Sequence, residues 1–361
     1  MDFTLKITYP FVSPASPGNE ITNIQAVDIQ YGRTKLLDNF PASTAIIRGR
    51  RPDLLPTINI NDGIWIRYAN DLTNQASGFS GIFRVTDYRV NYGIVSSADT
   101  WEITCEDAIA KMGRSFQNIT LTAGQTTGAA ASAAAGLAGV SMSYPGAVSK
   151  VSAQTLNETN VLDVVNQLVR TEQGSMFTAQ QTIDFVEFSG RSQVQGVGLV
   201  AFTDGTAGSG QPYDKLVFAG LAENYATKVL VEPVGLATQS SGTGTRVVTL
   251  NTYDQTTAQA LSLAQWVDGA LDRASAAPTQ ISCISETLSS YWPMSLFGHT
   301  GIQFTIGFRG TNYTVLSQGG YLSITPQQAR ITYNVTGADL TNYLILDNAT
   351  FGKLDDNRLG F

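Results

Sequence analysis

Apolar and polar residues alternate with a period of two along most of the chain, as in extended segments with one dry face and one wet face. Val27, Ile29 and Tyr31 alternate with Asp28 and Gln30 before Gly32 ends the run. Ile46 and Ile47 lie in a second apolar run and Ile58 and Ile60 in a third. Asn61-Asp62-Gly63 then supplies the positive-φ residues of a hairpin that returns through Ile64, Ile66 and Tyr68. Phe83 to Thr86 and Tyr88 to Tyr92 read as one long, bulged strand, and Trp101-Glu102-Ile103-Thr104-Cys105 places Trp, Ile and Cys on the buried side. The pattern predicts a small antiparallel barrel or sandwich over residues 1–112. Pro10, Pro14 and Pro17 mark the first ~20 residues as an arm, with Phe3 to Ile7 available as an edge strand.

Past Cys105 the period lengthens. Glu106 to Met112 reads as a short helix closed by Gly113. Gly124 to Gly139 is nearly all Ala, Gly, Thr and Ser, which suits a tightly packed helix or a linker. Val161 to Gln173 is the clearest helix: Asn157 and Thr159-Asn160 offer N-caps, Val161, Val164, Val165 and Leu168 share a face, and Gly174 ends it. Ser175–Thr178 and Ile183–Phe188 follow as a strand pair, so residues 113–195 form an α/β insertion. Gly196 to Gly210 reads as an exposed connection. Beyond it, Lys228–Val234 and Arg246–Leu250 are strands, residues 256–271 an amphipathic helix, and Thr279–Glu286, Ile302–Phe308, Asn312–Leu316, Tyr321–Ile324 and Ala329–Val335 further strands. The expected fold is mainly β: two small antiparallel β-barrel domains, 1–112 and 196–361, separated by a helix-containing α+β insertion.

Composition adds a constraint on the surface. Only 14% of the 361 residues are charged, against the ~25% usual in soluble domains, while hydrophobic residues make up 43%. A neutral polar exterior suits a protein whose surface is covered by other subunits. The net charge of −7 argues against gripping nucleic acid, which needs clustered Lys and Arg. Arg48-Gly49-Arg50-Arg51 is the only basic cluster and reads as a solvated loop before Pro52. Cys105 and Cys283 sit in separate strand patterns as buried free thiols. No basic segment followed by an apolar run opens the chain and no stretch is long enough to cross a bilayer, so synthesis and folding in a cytoplasm are expected.

The residues offer no catalytic device. The single histidine, His299, lies in the loop Phe297-Gly298-His299-Thr300-Gly301 and reads as structural. Nucleophilic triads and zinc sites both lack their ligands. No phosphate-cradling Gly-rich loop with Lys-Ser/Thr occurs. Asp71, Asp87, Glu102 and Glu187 are the acids that a glycan hydrolase would have to bring together in pairs. Asp355-Asp356-Asn357 lacks the spaced oxygens of a calcium loop. No catalytic, cofactor-binding or metal-binding residue is therefore assigned, and no cofactor is expected.

Three stretches resemble the baseplate hub, or tail hub, proteins of tailed bacteriophages. Tyr31-Gly32-Arg33, Leu37-Asp38-Asn39-Phe40-Pro41 and Asn61-Asp62-Gly63, followed by Phe79-Ser80-Gly81-Ile82-Phe83, are similar to the family's opening pattern. Val161–Arg170 leading through Glu172-Gln173-Gly174 to Phe188-Ser189-Gly190-Arg191 is like its helix, turn and strand end, and Leu344–Asn348 with Gly352–Asp355 and Arg358–Phe361 looks like its closing segment. Residues 118–152 match nothing in that pattern. The resemblance implies a non-enzymatic homotrimer in the virion, each subunit giving two barrels to a six-lobed ring. Such a ring joins the distal tail or tail tube protein to a central fibre or spike, with the tape measure protein as a further neighbour. DNA passes through its lumen without specific binding. A distal tail ring, a receptor-binding component and a tail-associated glycan hydrolase are the alternatives.

Overall fold

The computed structural model describes residues 3–72, 78–178, 182–190, 200–205, 210–220, 226–274, 277–288 and 292–337. The closing stretch from 338 onward and most of 196–210 lie outside them, so neither the third resembling stretch nor Asp355-Asp356-Asn357 is described.

The chain opens with seven strands, β1 (Thr4–Phe11), β2 (Asn19–Ile21), β3 (Ile24–Gly32), β4 (Thr44–Arg50), β5 (Gly63–Ala69), β6 (Gly78–Asn91) and β7 (Thr100–Glu106). The insertion follows as α1 (Ala108–Gly113), β8 (Phe116–Leu121), α2 (Thr127–Leu137), β9 (Ser141–Ser143), β10 (Gln154–Asn160), α3 (Val161–Glu172), β11 (Ser175–Thr178) and β12 (Phe185–Ser189). The last part begins with β13 (Val200–Thr203), β14 (Gln211–Pro212), β15 (Lys215–Val217), β16 (Lys228–Pro233), β17 (Gln239–Gly242), β18 (Val247–Thr252) and α4 (Thr257–Ala274). It finishes with β19 (Gln280–Ile284), α5 (Trp292–Ser295), β20 (Gln303–Phe308), β21 (Thr311–Ile324) and β22 (Ala329–Gly337).

The mainly β class expected from the period-two pattern is the class observed, but the described strands close into no separate barrels. The two β units are one sheet, ordered β14-β13-β20-β21-β3-β4-β7-β6-β5-β1-β2, with β22, β19 and β15 branching from β21. The seam is the antiparallel pair β21–β3, running from Gly319 opposite Gly32 to Ile324 opposite Val27. One apolar core lies beneath both units, taking in Ile7, Trp101 and Cys105 from the first and Phe297, Cys283 and Tyr333 from the second. Both cysteines are buried free thiols in that core, as expected.

Within the sheet the units repeat a pattern. β5, β6, β7 and β4 pair in that order, and β20, β21, β22 and β19 do the same, every pair antiparallel. The long middle strands, β6 and β21, have 14 residues each. Each pairs through its first half with the strand before it and through its second half with the strand after it. Each also carries an irregularity, at Val85/Asp87 in β6 and at Ser317/Gly319 in β21, where one extra residue bends the strand.

Several local expectations give way. Pro10 follows Tyr9 in a cis peptide bond inside β1, which pairs with β2 and β5, so the opening is a sheet member rather than an arm and β2 forms the edge. Ile58 and Ile60 precede β5 in a loop, with Ile60 half exposed, because no neighbouring strand offers them a ladder. Arg48 and Arg50 stand on β4 instead of in a loop. β16, β17 and β18 do not join the second β unit. They form their own sheet, packed on α4 through Val229, Val231, Leu250, Leu263 and Val267. The insertion has a third core, in which α2 lays Ala130, Ala131, Ala134 and Ala135 against α3, so the Ala-rich stretch is a helix and not a linker. Methyl side chains there let two helices approach closely.

Candidate functional site

The residues tested for catalysis do not converge. The backbone carbonyl of His299 accepts from Ser317 Oγ (3.4 Å) and its ring lies 4.6 Å from that of Phe177. Burial lowers its pKa to about 4, which leaves the imidazole neutral and a weak base. Among the described residues no hydroxyl or thiol bonds to that ring. Cys105 and Cys283 are held as thiols because burial pushes both pKa values up. Asp87 and Glu102 are engaged separately, by Arg89 (2.7 Å) and Arg48 (2.8 Å), while Asp71 follows β5 and Glu187 lies on β12 in the insertion, accepting from Ser189 Oγ (2.9 Å). Glycoside hydrolysis needs two carboxyls aimed at one bond, and these acids make their described contacts with different basic or hydroxyl groups. No group of three or more His, Cys, Asp or Glu residues converges as a metal site among the described residues. No described helix is long and apolar enough to cross a membrane.

What the fold does assemble is a wet face that runs across the seam. The pleat sends Val27, Ile29, Ile47, Ile103 and Cys105 into the core and Asp28, Gln30, Arg48, Glu102 and Arg89 outward. Arg48 sits between two acids, donating from Nε to Glu102 (2.8 Å) and from Nη1 to Asp28 (2.5 Å). Ser323 Oγ on the other unit completes Asp28 across the seam (2.7 Å). Opposite charges on facing strands fix register at small net gain, because each remains partly solvated. The basic cluster at Arg48–Arg51 is thus largely internally neutralised, with Arg51 closing on Asp53.

Behind that face, a junction locks the insertion to both β units. Arg33, just past β3, donates from Nε to Gln318 Oε1 on β21 (2.8 Å) and stacks over the Phe40 ring at 4.4 Å. Asn166 of α3 donates to the Phe40 carbonyl (3.2 Å) and accepts from its amide (2.8 Å), as a neighbouring strand would. Arg170 donates to Asn39 Oδ1 (2.8 Å), and these groups surround a cavity of about 30 Å³ closed on the far side by Trp266 and Leu263 of α4. Burial holds the Arg33 pKa down to about 9, with the Asp38 carboxylate opposing that shift and the nearby Arg170 charge adding to it. A second lock is Asp184, which accepts from Arg84 Nε (2.7 Å) and Nη2 (2.6 Å) and from Lys111 Nζ (3.0 Å). Arg33, Asp38, Asn39 and Phe40 belong to a stretch that the sequence singled out. Asn166, Arg84 and Asp184 gave no sequence signal, since lone polar residues 100 or more positions apart carry no shared pattern.

Among the described residues the arrangement is that of a continuous apolar core beneath one large sheet, with no convergent set of catalytic groups. No known family model and no curated protein matches the chain. Solved structures do. A tail protein from Neisseria meningitidis MC58 superposes with a TM-score of 0.64 at 11% identity, covering 92% of this chain and 96% of that one. The prophage MuSo2 43 kDa tail protein from Shewanella oneidensis gives 0.59 at 10% identity, with 92% and 97% covered. A type VI secretion component of Escherichia coli, described as structurally similar to bacteriophage T4 tail proteins, gives 0.53 at 12% identity, with 93% and 77% covered. At these identities the likeness is one of fold, and this chain shares the fold of these tail proteins.

Proposed function

We propose that the protein is a non-enzymatic structural hub of a phage tail tip, three copies of which form a ring. That ring joins the tail tube or distal tail ring to a central fibre or spike within the virion. The observation that carries this reading is the repeated four-strand order, β5-β6-β7-β4 and β20-β21-β22-β19, within one continuous sheet. Two equivalent β units per chain let a threefold ring offer six similar lobes to a sixfold tube on one side while keeping threefold symmetry on the other. The continuous core and the two polar locks make each subunit stiff, as a part that transmits load requires. A net charge of −7 repels phosphate, so DNA crosses such a lumen without adhering, and a tape measure protein would occupy the same channel beforehand.

Light scattering on the purified protein, followed by negative-stain class averages down the particle axis, tests the reading. A trimer with six lobes and a central hole is the expected result. A hexamer would mark a distal tail ring instead, and a monomer at every concentration would remove self-assembly from the proposal.

A further inference from the structure

The β6–β7 hairpin carries an apolar tip that no described residue covers. Tyr92 is 81% exposed, Ile94 106% and Val95 59%. The loop that holds them has its own hydrogen bonds: Gly93 N donates to Asp99 Oδ1 (2.8 Å), and the amides of Ala98 and Asp99 donate to the carbonyls of Val95 (2.9 Å) and Ser96 (3.2 Å). Three large apolar side chains on an ordered protrusion point to a partner surface.

A recess lies elsewhere on the same sheet. Between β1 and the β2–β3 turn on one wall and the β21–β22 turn on the other is a cleft of about 640 Å³, its apolar lining supplied by Phe3, Leu5, Ile24, Tyr68, Ile324 and Pro326. Ile24 of the cleft reaches the hairpin strand by strand, lying opposite Gly49 while Arg50 lies opposite Thr100 and Thr100 opposite Asn91, whereas Tyr68 of the cleft lies opposite Phe79 at the start of β6, twelve residues along the strand from Asn91, so cleft and hairpin tip are separate surfaces of one sheet. Charge agrees with shape. Arg50 at the hairpin's base and Glu286 on the cleft's rim are both exposed, and neither belongs to an ion pair among the described residues.

A protrusion and a recess at separate places on one chain make a head-to-tail contact, the kind that generates a ring when its rotation closes, in contrast to a self-complementary patch that stops at a dimer. We propose that, in the trimer, the hairpin tip of one copy seats Ile94 and Val95 in the cleft of the next, with Arg50 facing Glu286 of the partner subunit. This rests on the ring reading above and specifies which surfaces build it.

The test is concentration-dependent light scattering of the full chain and four variants: Ile94→Asp, Arg50→Glu, Glu286→Arg, and the combined Arg50→Glu/Glu286→Arg. These side chains are exposed, so thermal melts by circular dichroism should match the unaltered chain at a concentration where all are monomeric. Ile94→Asp should raise the concentration for half-assembly at least tenfold. Each single charge reversal should weaken assembly severalfold, and the combined reversal should recover it. A trimer that forms equally well with Ile94→Asp overturns the proposal and leaves the ring reading standing. Failure of the combined reversal to recover assembly overturns the charge pairing and with it the docking pose. An unaltered chain that stays monomeric at all concentrations overturns both readings together.

Discussion

Asp184 combines a left-handed backbone conformation, φ 55°, with a carboxylate that binds Lys111 of α1 within the insertion and Arg84 of β6 outside it. Burial alone would raise its pKa, but the hydrogen bonds and charges of Arg84 and Lys111 outweigh that and leave it below the ordinary carboxylate value. Its stabilisation is therefore present above the unfolded value of 3.8 and is lost as pH falls through the lower folded value. Asp184→Asn should cost about 1–3 kcal/mol in urea unfolding at pH 7 and much less at pH 2.5. Asp107, the N-cap of α1, and Asp254, which accepts from Thr252 Oγ1 (2.6 Å), behave oppositely: burial raises each to about 6. The folded protein then holds protons that the unfolded chain has released between pH 3.8 and about 6, so this contribution to stability declines as pH rises through that window. Asp254→Asn keeps an acceptor for Thr252 without the charge. It should be neutral at pH 4 and stabilising by about 1–3 kcal/mol at pH 7.5, measured by urea titration at both values.

The element that joins the parts is α3. Its stripe of Val161, Val164, Val165 and Leu168 is buried, and Asn160 caps it by accepting from Leu162 N (2.9 Å) and Asp163 N (3.3 Å). Apolar burial on one face holds this helix in the insertion core, while Asn166 hydrogen-bonds the backbone of Phe40, whose ring belongs to the same core. Asn166→Leu retains size but strands a buried amide and a buried carbonyl, so a loss of about 2–4 kcal/mol is expected in chemical unfolding. Asn160→Ala, which removes only the cap side chain, should cost about 1 kcal/mol and serves as the comparison.

For the whole molecule the deciding feature is the β21–β3 seam. Gly32 stands there at φ 64°, and a Cβ on it would lie 2.5 Å from the Gln318 carbonyl oxygen, so backbone approach rather than a side chain sets this contact. Gly32→Val should lower the melting temperature by several degrees and impair assembly along with it. Because Ile7 and Tyr333 belong to one core, the two β units should melt together. Calorimetry should show a single transition for them, and two well-separated transitions would mean that the seam is weaker than its shared core implies.

By itself the sequence determined what its periods and breakers encode. The bulged strand ending at Asn91, the alternating β7, the α3 stripe and α4 all appear where the pattern places them, because burying one face of a strand or helix is a local demand on side-chain spacing. It also narrowed the chemistry to be considered, since one histidine and two separated thiols leave paired carboxylates as the device still to be weighed. Only the tertiary structure decided which strands pair. Period two says that Tyr321 to Ile324 is extended, but not that it lies against β3 to fuse two β units, nor that β16 to β18 leave the large sheet for α4. Likewise Arg84 and Asp184 are unremarkable until folding brings them within 2.6 Å. Pairing between distant segments depends on the combined fit of backbone edges, bulges and buried faces, a property of the assembled chain that no local window contains.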